Sequence, residues 1–381
     1  MTRSLHIVIT VNAAWNVLNF RKPLVAALLA QGHRITVLAP ADAAAAGLAA
    51  LGCRFVPLEM DRKGLDPLRD AALAWRMRRH FAELAPDVIL GFTIKNNLYG
   101  AIAARSLAIP FIPNVTGLGT AFLGGRLLGT LARTLYRLAF RGLPVVFFQN
   151  ADDRDLFVAQ GLVSRSQATL VPGSGIDLAA FPAAPRPRPR EGAPVRFLLI
   201  ARLLRDKGVY EYVEAARTLR RQGIPAEFAM LGAVGADNRT AVGQAELDDW
   251  LAEGAVTYLG TLDDVRPAIA DADCIVLPSY REGAPRTLIE GAAMARPAIA
   301  SRVPGCTAVV DDPATGFLCE PRDSGSLASA MARFAALDID ERRAMGLAAR
   351  AKMEREFAVN IVVARYRQAI ADATRGAARA N

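Results

Sequence analysis

Two glutamates, Glu282 and Glu290, stand eight positions apart in the stretch SYREGAPRTLIEG, with Pro285 and Arg286 between them. A carboxylate pair first suggests acid–base work of the kind that cleaves glycosidic bonds. The proline points elsewhere. Proline favours the first turn of a helix and pushes its predecessor into extended geometry. The spacing therefore predicts a helix starting near Arg286, with Glu282 in the loop before it and Glu290 in its second turn. Gly283 permits close backbone approach, and the N–H groups of Arg286, Thr287 and Leu288 at the helix start form an anion site that suits a diphosphate. Glu290 is placed to accept hydrogen bonds from vicinal hydroxyls such as those of a ribose, and Glu282 from hydroxyls of a sugar. Solvated surface carboxylates are the alternative that the two glutamates alone leave open.

A second cluster lies in ARLLRDKGV. Arg202 and Lys207 follow the apolar run VRFLLI and precede Gly208, so both cations belong to a loop at a strand's carboxyl end. Arginine grips phosphate in bidentate fashion and lysine adds a point charge. Lys207 is one of only five lysines in a chain with 46 basic residues.

The elements that must position these residues are strands and helices in alternation. LHIVITV, RITVLAP, PDVILGF, IPFIPNV, LPVVFFQN and ATLVP read as strands of a first domain, spanning 1–182. The segment FPAAPRPRPREGAP then breaks the pattern, and its residues 183–194 read as an extended Pro/Arg linker. VRFLLIA, AEFAMLG, VTYLG, DCIVLPS, RPAIAS and GFLCEP restart the alternation in a second domain, 195–357. Continuous apolar strands are what a parallel sheet covered on both faces requires. The predicted fold is α/β, two doubly wound Rossmann-like domains facing a cleft, with a final helix at about 358–381 packing back on the first. Ligands of such sheets bind beyond the carboxyl ends of the strands.

Composition narrows the classes. With 52% apolar residues in 381, the chain can bury two cores. Cys53, Cys274, Cys306 and Cys319 are widely spaced and only three histidines occur, a poor inventory for disulfides or metals. Asp271 and Asp273 have metal-ligand spacing, yet run into the strand CIVLPS at its amino end, away from the cleft. GLGTAFLGG is not a dinucleotide fingerprint and no P-loop occurs. No apolar stretch approaches the ~20 residues that span a bilayer, and the N-terminal run leads to NAAWN, not to a cleavage site. A cytoplasmic chain without metal or cofactor is expected. The net charge of +9 is uneven: residues 1–182 hold 19 basic against 11 acidic residues, and residues 195–381 hold 24 against 25. An anionic partner for the first half, such as a phosphorylated molecule or a membrane surface, fits that asymmetry.

The R-x4-K loop, the E-x7-E stretch and the two α/β domains resemble the GT-B glycosyltransferases, specifically the large retaining family 4. VPGSGIDLAAF, EGAPRTLIEGAAMARPAIAS and VPGCTAVVDDPATGFLCEPRD carry the likeness further, and GFTIKNNLYG and NVTGLGTAFLGG look like the subgroup that builds capsules, O-antigens and glycans on undecaprenyl-diphosphate. The resemblance implies that Arg202 and Lys207 hold the donor diphosphate with the helix at Arg286, Glu290 the nucleotide ribose and Glu282 the transferred sugar, without a metal. It implies a hexosyl- or N-acetylhexosaminyltransferase moving sugar from a nucleotide sugar, expected to be UDP-linked, to a polyprenyl-diphosphate-linked saccharide at the inner face of the cytoplasmic membrane, with no role for nucleic acid. Where relatives carry a histidine beside the reacting sugar, this chain has Thr116 or Gly117, so no catalytic base is named. The same fold also serves nucleotide-sugar epimerases, which need no lipid acceptor, and a non-catalytic membrane scaffold is the reading from another class.

On the acceptor side, Lys95, Asn96 and Asn97 in TIKNNLYG, with Thr116 and Gly117, are the expected contacts. Arg126, Arg133, Arg137 and Arg141 in RLLGTLARTLYRLAFRG fall within an ~80° arc at ~100° per residue, opposite a leucine stripe. Either the leucines face the core and the arginines face solvent, or the helix is interfacial and meets anionic headgroups.

Overall fold

The computed structural model describes residues 3–61, 66–117, 126–184, 193–235, 238 and 240–380. Two units divide the chain: Met1–Gly175 with Val359–Asn381, and Ile176–Ala358.

The first unit is built on seven parallel strands: β1 (His6–Thr10), β2 (Arg34–Ala39), β3 (Arg54–Pro57), β4 (Val88–Phe92), β5 (Phe111–Val115), β6 (Val146–Phe148) and β7 (Ala168–Leu170), in the order β3-β2-β1-β4-β5-β6-β7. β1, β4 and β5 are buried at every residue, as continuous apolar strands demand. Helices α1 (Ala14–Phe20), α2 (Lys22–Leu29) and α3 (Ala45–Ala50) cover one face. α4 (Pro67–Leu84), α5 (Ile94–Arg105), α6 (Arg126–Phe140) and α7 (Ala151–Ala159) cover the other. Only β3, four residues with no fully buried position, was not legible as an apolar run.

The second unit holds six parallel strands, β8 (Val195–Ile200), β9 (Ala226–Leu231), β10 (Thr257–Tyr258), β11 (Cys274–Leu277), β12 (Ala298–Ser301) and β13 (Gly316–Cys319), in the order β10-β9-β8-β11-β12-β13. Its helices are α8 (Val209–Arg221), α9 (Gln244–Ala252), α10 (Arg266–Asp271), α11 (Arg286–Ala293), α12 (Cys306–Val309), α13 (Ser324–Ala336) and α14 (Ile339–Lys352). All four cysteines are free and buried.

A π-helical turn, Met353–Phe357, follows α14, and Ala358 leaves the helical region at ψ 138°. α15 (Val359–Ala380) then returns to the first unit. There Tyr366 is fully buried against Phe147, ring centroids 4.7 Å apart, and its hydroxyl accepts from Asn114 Nδ2 at 2.7 Å. The first unit ends at Gly175, earlier than the expected 182. The cause is local: the Ile176 N–H donates to Phe357 O at 2.8 Å, and the Ile176 side chain packs with Leu198 and Leu277 of the second core. The linker 183–194 falls largely outside the described residues.

Candidate active site

In each sheet the strand order reverses once, between β1 and β4 in the first unit and between β8 and β11 in the second. The crevice outside the carboxyl ends at such a reversal is where open α/β sheets bind ligands. Arg202 and Lys207 follow β8 and Glu282 follows β11, so residues 75 positions apart are brought together by sheet topology alone. Lys207 Nζ donates to Glu282 Oε1 at 2.5 Å, and the two side chains are 23% and 13% exposed. Arg202 is exposed, and its side chain makes no ion pair or hydrogen bond among the described residues.

The two loops are joined through backbone. The Asp206 carbonyl accepts from the Tyr280 N–H at 2.9 Å and from Ser279 Oγ at 3.1 Å. Gly208 ends the short 3-10 turn Arg205–Lys207 with φ +73°, and a Cβ there would sit 2.0 Å from the Pro278 carbonyl. Only glycine meets both demands, which makes Gly208 the residue that lets the lysine loop lie against the end of β11. On the far side, Gly305 (φ +83°) would place a Cβ 2.6 Å from Gly283 O and 2.7 Å from Glu282 O, so the loop before α12 packs on the glutamate's backbone.

α11 begins at Arg286 with Pro285 as its N-cap, as the proline predicts. No side chain caps it. By contrast Asp66, Asn150, Asp323 and Asp338 cap α4, α7, α13 and α14 through their side chains. An uncapped helix start carries partial positive charge and aims N–H groups outward, which suits an anion. Glu290, in the second turn, is buried and accepts from Arg286 Nε at 2.7 Å. Burial raises its carboxyl above the ordinary range, while the Arg286 guanidinium pulls the other way. Asp271 and Asp273 lie at the amino end of β11, where Asp273 Oδ2 accepts the Arg196 N–H at 2.8 Å and Asp271 Oδ1 accepts from Arg196 Nη1 at 2.5 Å.

In the first unit, two of the expected acceptor residues lie inside the fold. Asn96 and Asn97 face inward and are 0% and 2% exposed. Asn96 Nδ2 donates to Thr10 Oγ1 and Asn97 Nδ2 to Asn114 O, each at 2.8 Å, so these amides tie α5 to β1 and β5. Lys95 is tied to buried Asp70 at 2.8 Å, beside the Tyr99 hydroxyl on the same carboxylate. Thr116 and Gly117 are half-buried just past β5. Thr93, at the end of β4, adopts φ +70° and ψ 155°, a conformation that costs a non-glycine residue of order 1–3 kcal/mol and tends to be stored at functional sites.

α6 also turns a different face inward. Tyr136, Ala139 and Phe140 are buried in the core, whereas Leu131 and Leu138 of the leucine stripe are 50% and 53% exposed. Leu135 of the same stripe packs against the core, so the described part of the stripe is split between core and surface. Arg137 donates to the carbonyls of Gln160 and Gly161 at the end of α7, Arg133 to Thr130 Oγ1, and Arg141 is exposed. The side chain of Arg126 lies outside the described residues.

Solved structures share this architecture throughout. A glycosyltransferase from Rickettsia africae superposes with a TM-score of 0.77 at 17% identity, covering 98% of this chain and 99% of its own. Residues 21–174 match the family model described as Glycosyl transferase 4-like domain, and residues 194–336 the one described as Glycosyl transferases group 1. The chain is a GT-B glycosyltransferase. The glycosyltransferase is also similar, at 27% identity over 93% of its length and 95% of the relative's, to N,N'-diacetylbacillosaminyl-diphospho-undecaprenol alpha-1,3-N-acetylgalactosaminyltransferase of Campylobacter jejuni. The putative colanic acid biosynthesis glycosyltransferase WcaL of Escherichia coli is 29% identical over about half of each chain. Anabaena HepE, solved with UDP and glucose, superposes with a TM-score of 0.76 at 17% identity over 97% of this chain and 100% of its own.

Several residues that shape the β8/β11 crevice of this glycosyltransferase gave no sequence signal. Ser279 is fully buried, and the Tyr280 hydroxyl donates to Glu211 Oε1 at 2.7 Å. Burial and that carboxylate push the Tyr280 phenol up to about 12. The Arg322 guanidinium lies 4.7 Å from the Tyr280 ring centre, on a residue at φ +61°. Each partner is tens of residues distant, so only the closed sheet reveals the staple.

Proposed function

We propose that the enzyme transfers a sugar with retention of anomeric configuration from a nucleotide sugar, UDP-linked, to a polyprenyl-diphosphate-linked saccharide, without a metal, as a peripheral protein at the inner face of the cytoplasmic membrane. The observation that carries the proposal is the meeting of Lys207 and Glu282 at the β8/β11 reversal, beside the uncapped start of α11. In this reading the donor diphosphate lies on Arg202, Lys207, Gly283 and the N–H groups of Arg286, Thr287 and Leu288. Glu290 takes the ribose hydroxyls and Glu282 the hydroxyls of the transferred sugar.

As the sugar–phosphate bond breaks, charge grows on the leaving diphosphate. Fixed cations and helix N–H groups aimed there stabilise it without reorganising, each such donor typically contributing about 2.7–4 kcal/mol. The acceptor class is supported by the Campylobacter relative, whose name specifies a diphospho-undecaprenol-linked sugar. The UDP-bound HepE complexes support a uridine donor. Membrane association is supported by α6, which presents Leu131 and Leu138 beside exposed Arg141. Among the described residues no helix is long and apolar enough to cross a bilayer.

Replacing Lys207 with alanine tests the donor assignment. Transfer should fall by at least about a hundredfold, the usual effect of removing one such donor, while the circular dichroism spectrum stays that of a folded chain even though the loss of the Glu282 partner lowers the melting temperature. Full turnover by the variant would refute the assignment.

A further inference from the structure

Both donor-side glutamates already have cationic partners. Lys207 holds Glu282 at 2.5 Å, and Arg286 holds Glu290 at 2.7 Å. The first pair is the more telling, because Lys207 and Glu282 have no second ion-pair partner among the described residues and both side chains are largely shielded. A shielded lysine that close to a carboxylate is already largely neutralised by it, so a phosphate that claims the lysine competes with that carboxylate. Backbone cannot move to relieve the competition. The Asp206 carbonyl is clamped by Ser279 and Tyr280, and the Glu282 carbonyl is packed against Gly305. The buried Cys306 thiol closes the same corner, held well above its ordinary range by burial and next by Glu282.

We infer that Glu282 is an internal competitor of the donor diphosphate, and that this competition makes the site prefer a nucleotide sugar over the nucleoside diphosphate it leaves behind. The inference rests on the donor-site reading above. A nucleotide sugar exchanges partners completely: its phosphate takes Lys207 and its sugar hydroxyls take Glu282. A nucleoside diphosphate takes Lys207 and strands the glutamate, and a shielded charge without a partner is costly. After transfer, the sugar leaves Glu282, the carboxylate retakes Lys207, and the leaving diphosphate is weakened on its cation. Product release is thereby driven by a residue that also reads the sugar.

The test is calorimetric, with the full-length enzyme and two probes, UDP and inorganic pyrophosphate. Glu282→Gln keeps the shape and an acceptor for Lys207 but removes the competing charge. It should bind both probes about tenfold more tightly than wild type, and it should bind UDP-sugar no more tightly than UDP. Plain repulsion between Glu282 and phosphate also predicts a gain, so the same substitution is made in a Lys207→Met background. Exchange requires that the gain vanish there. A gain of equal size without the lysine overturns the inference, as does unchanged or weaker probe binding by Glu282→Gln with an unaltered melting temperature. Failure of wild type and variant alike to bind either probe overturns the donor-site reading, and the exchange with it.

Discussion

Glu290 shows what a single residue contributes and at what cost. Its carboxyl is raised above the ordinary 4.5 chiefly by burial, so the folded chain binds that proton more tightly than the unfolded chain does. From about 4.5 upward the unfolded state therefore holds fewer protons, and the group's contribution to stability falls as pH rises through the folded value. At neutral pH a buried carboxylate opposes folding. Glu290→Gln should accordingly melt no lower than wild type at pH 7, with any gain fading as the pH is brought down towards 4.5. Transfer by the same variant should drop about tenfold or more, the scale of one lost charged hydrogen bond. A melting point clearly below wild type at neutral pH would mean that the Arg286 pair outweighs burial. At this scale the types and positions of Arg202, Lys207, Glu282 and Glu290 were legible in the sequence. The pairing of Lys207 with Glu282 was not, since a residue's own segment says nothing of a carboxylate 75 positions away. The bonds of Asn96 to Thr10 and of Asn97 to Asn114 were hidden for the same reason.

Elements carry the geometry. The lysine loop reaches the end of β11 because Gly208 adopts φ +73° at a point where a Cβ would sit 2.0 Å from Pro278 O. Gly208→Ala adds left-handed strain of about 1–2 kcal/mol and a backbone clash of about 1–3 kcal/mol. Thermal unfolding should show a loss of at least about 2 kcal/mol, together with weakened UDP binding as Lys207 shifts. Unchanged stability would mean that the two loops are not so closely joined. On α6 the expectation runs the other way. Leu131→Gln and Leu138→Gln alter half-exposed side chains, so stability should stay within about 0.5 kcal/mol. Sedimentation with phosphatidylglycerol vesicles should fall markedly if this stripe meets the bilayer, and equal vesicle binding would relocate the contact. Periodicity gave the leucine stripe but not the direction it faces. Tyr136, Ala139 and Phe140 make the packed face, and a sequence with two plausible apolar arcs leaves that choice to the neighbouring helices.

The whole molecule is two sheets of one design, each with its reversal point, visited by a chain that returns to the first at Val359. This organisation was the most legible feature, because strands buried on both faces, as β1, β4, β5 and β11 are, must be written as apolar runs, and among the described strands all but β3 were read from such runs. The boundary at Gly175 was not legible, since it is fixed by the pairing of Ile176 with Phe357 and Ala358. The central claim concerns the whole reaction, and one measurement addresses it directly. UDP- and GDP-sugars are presented with undecaprenyl-diphosphate saccharides in the presence of EDTA, products are identified by mass spectrometry, and the new anomeric centre is read by NMR. The account predicts a lipid-linked product from a UDP-sugar, with the donor's anomeric configuration retained, and none from Lys207→Ala. An inverted anomer, turnover only with a divalent metal, or sugar-nucleotide conversion without acceptor would contradict it.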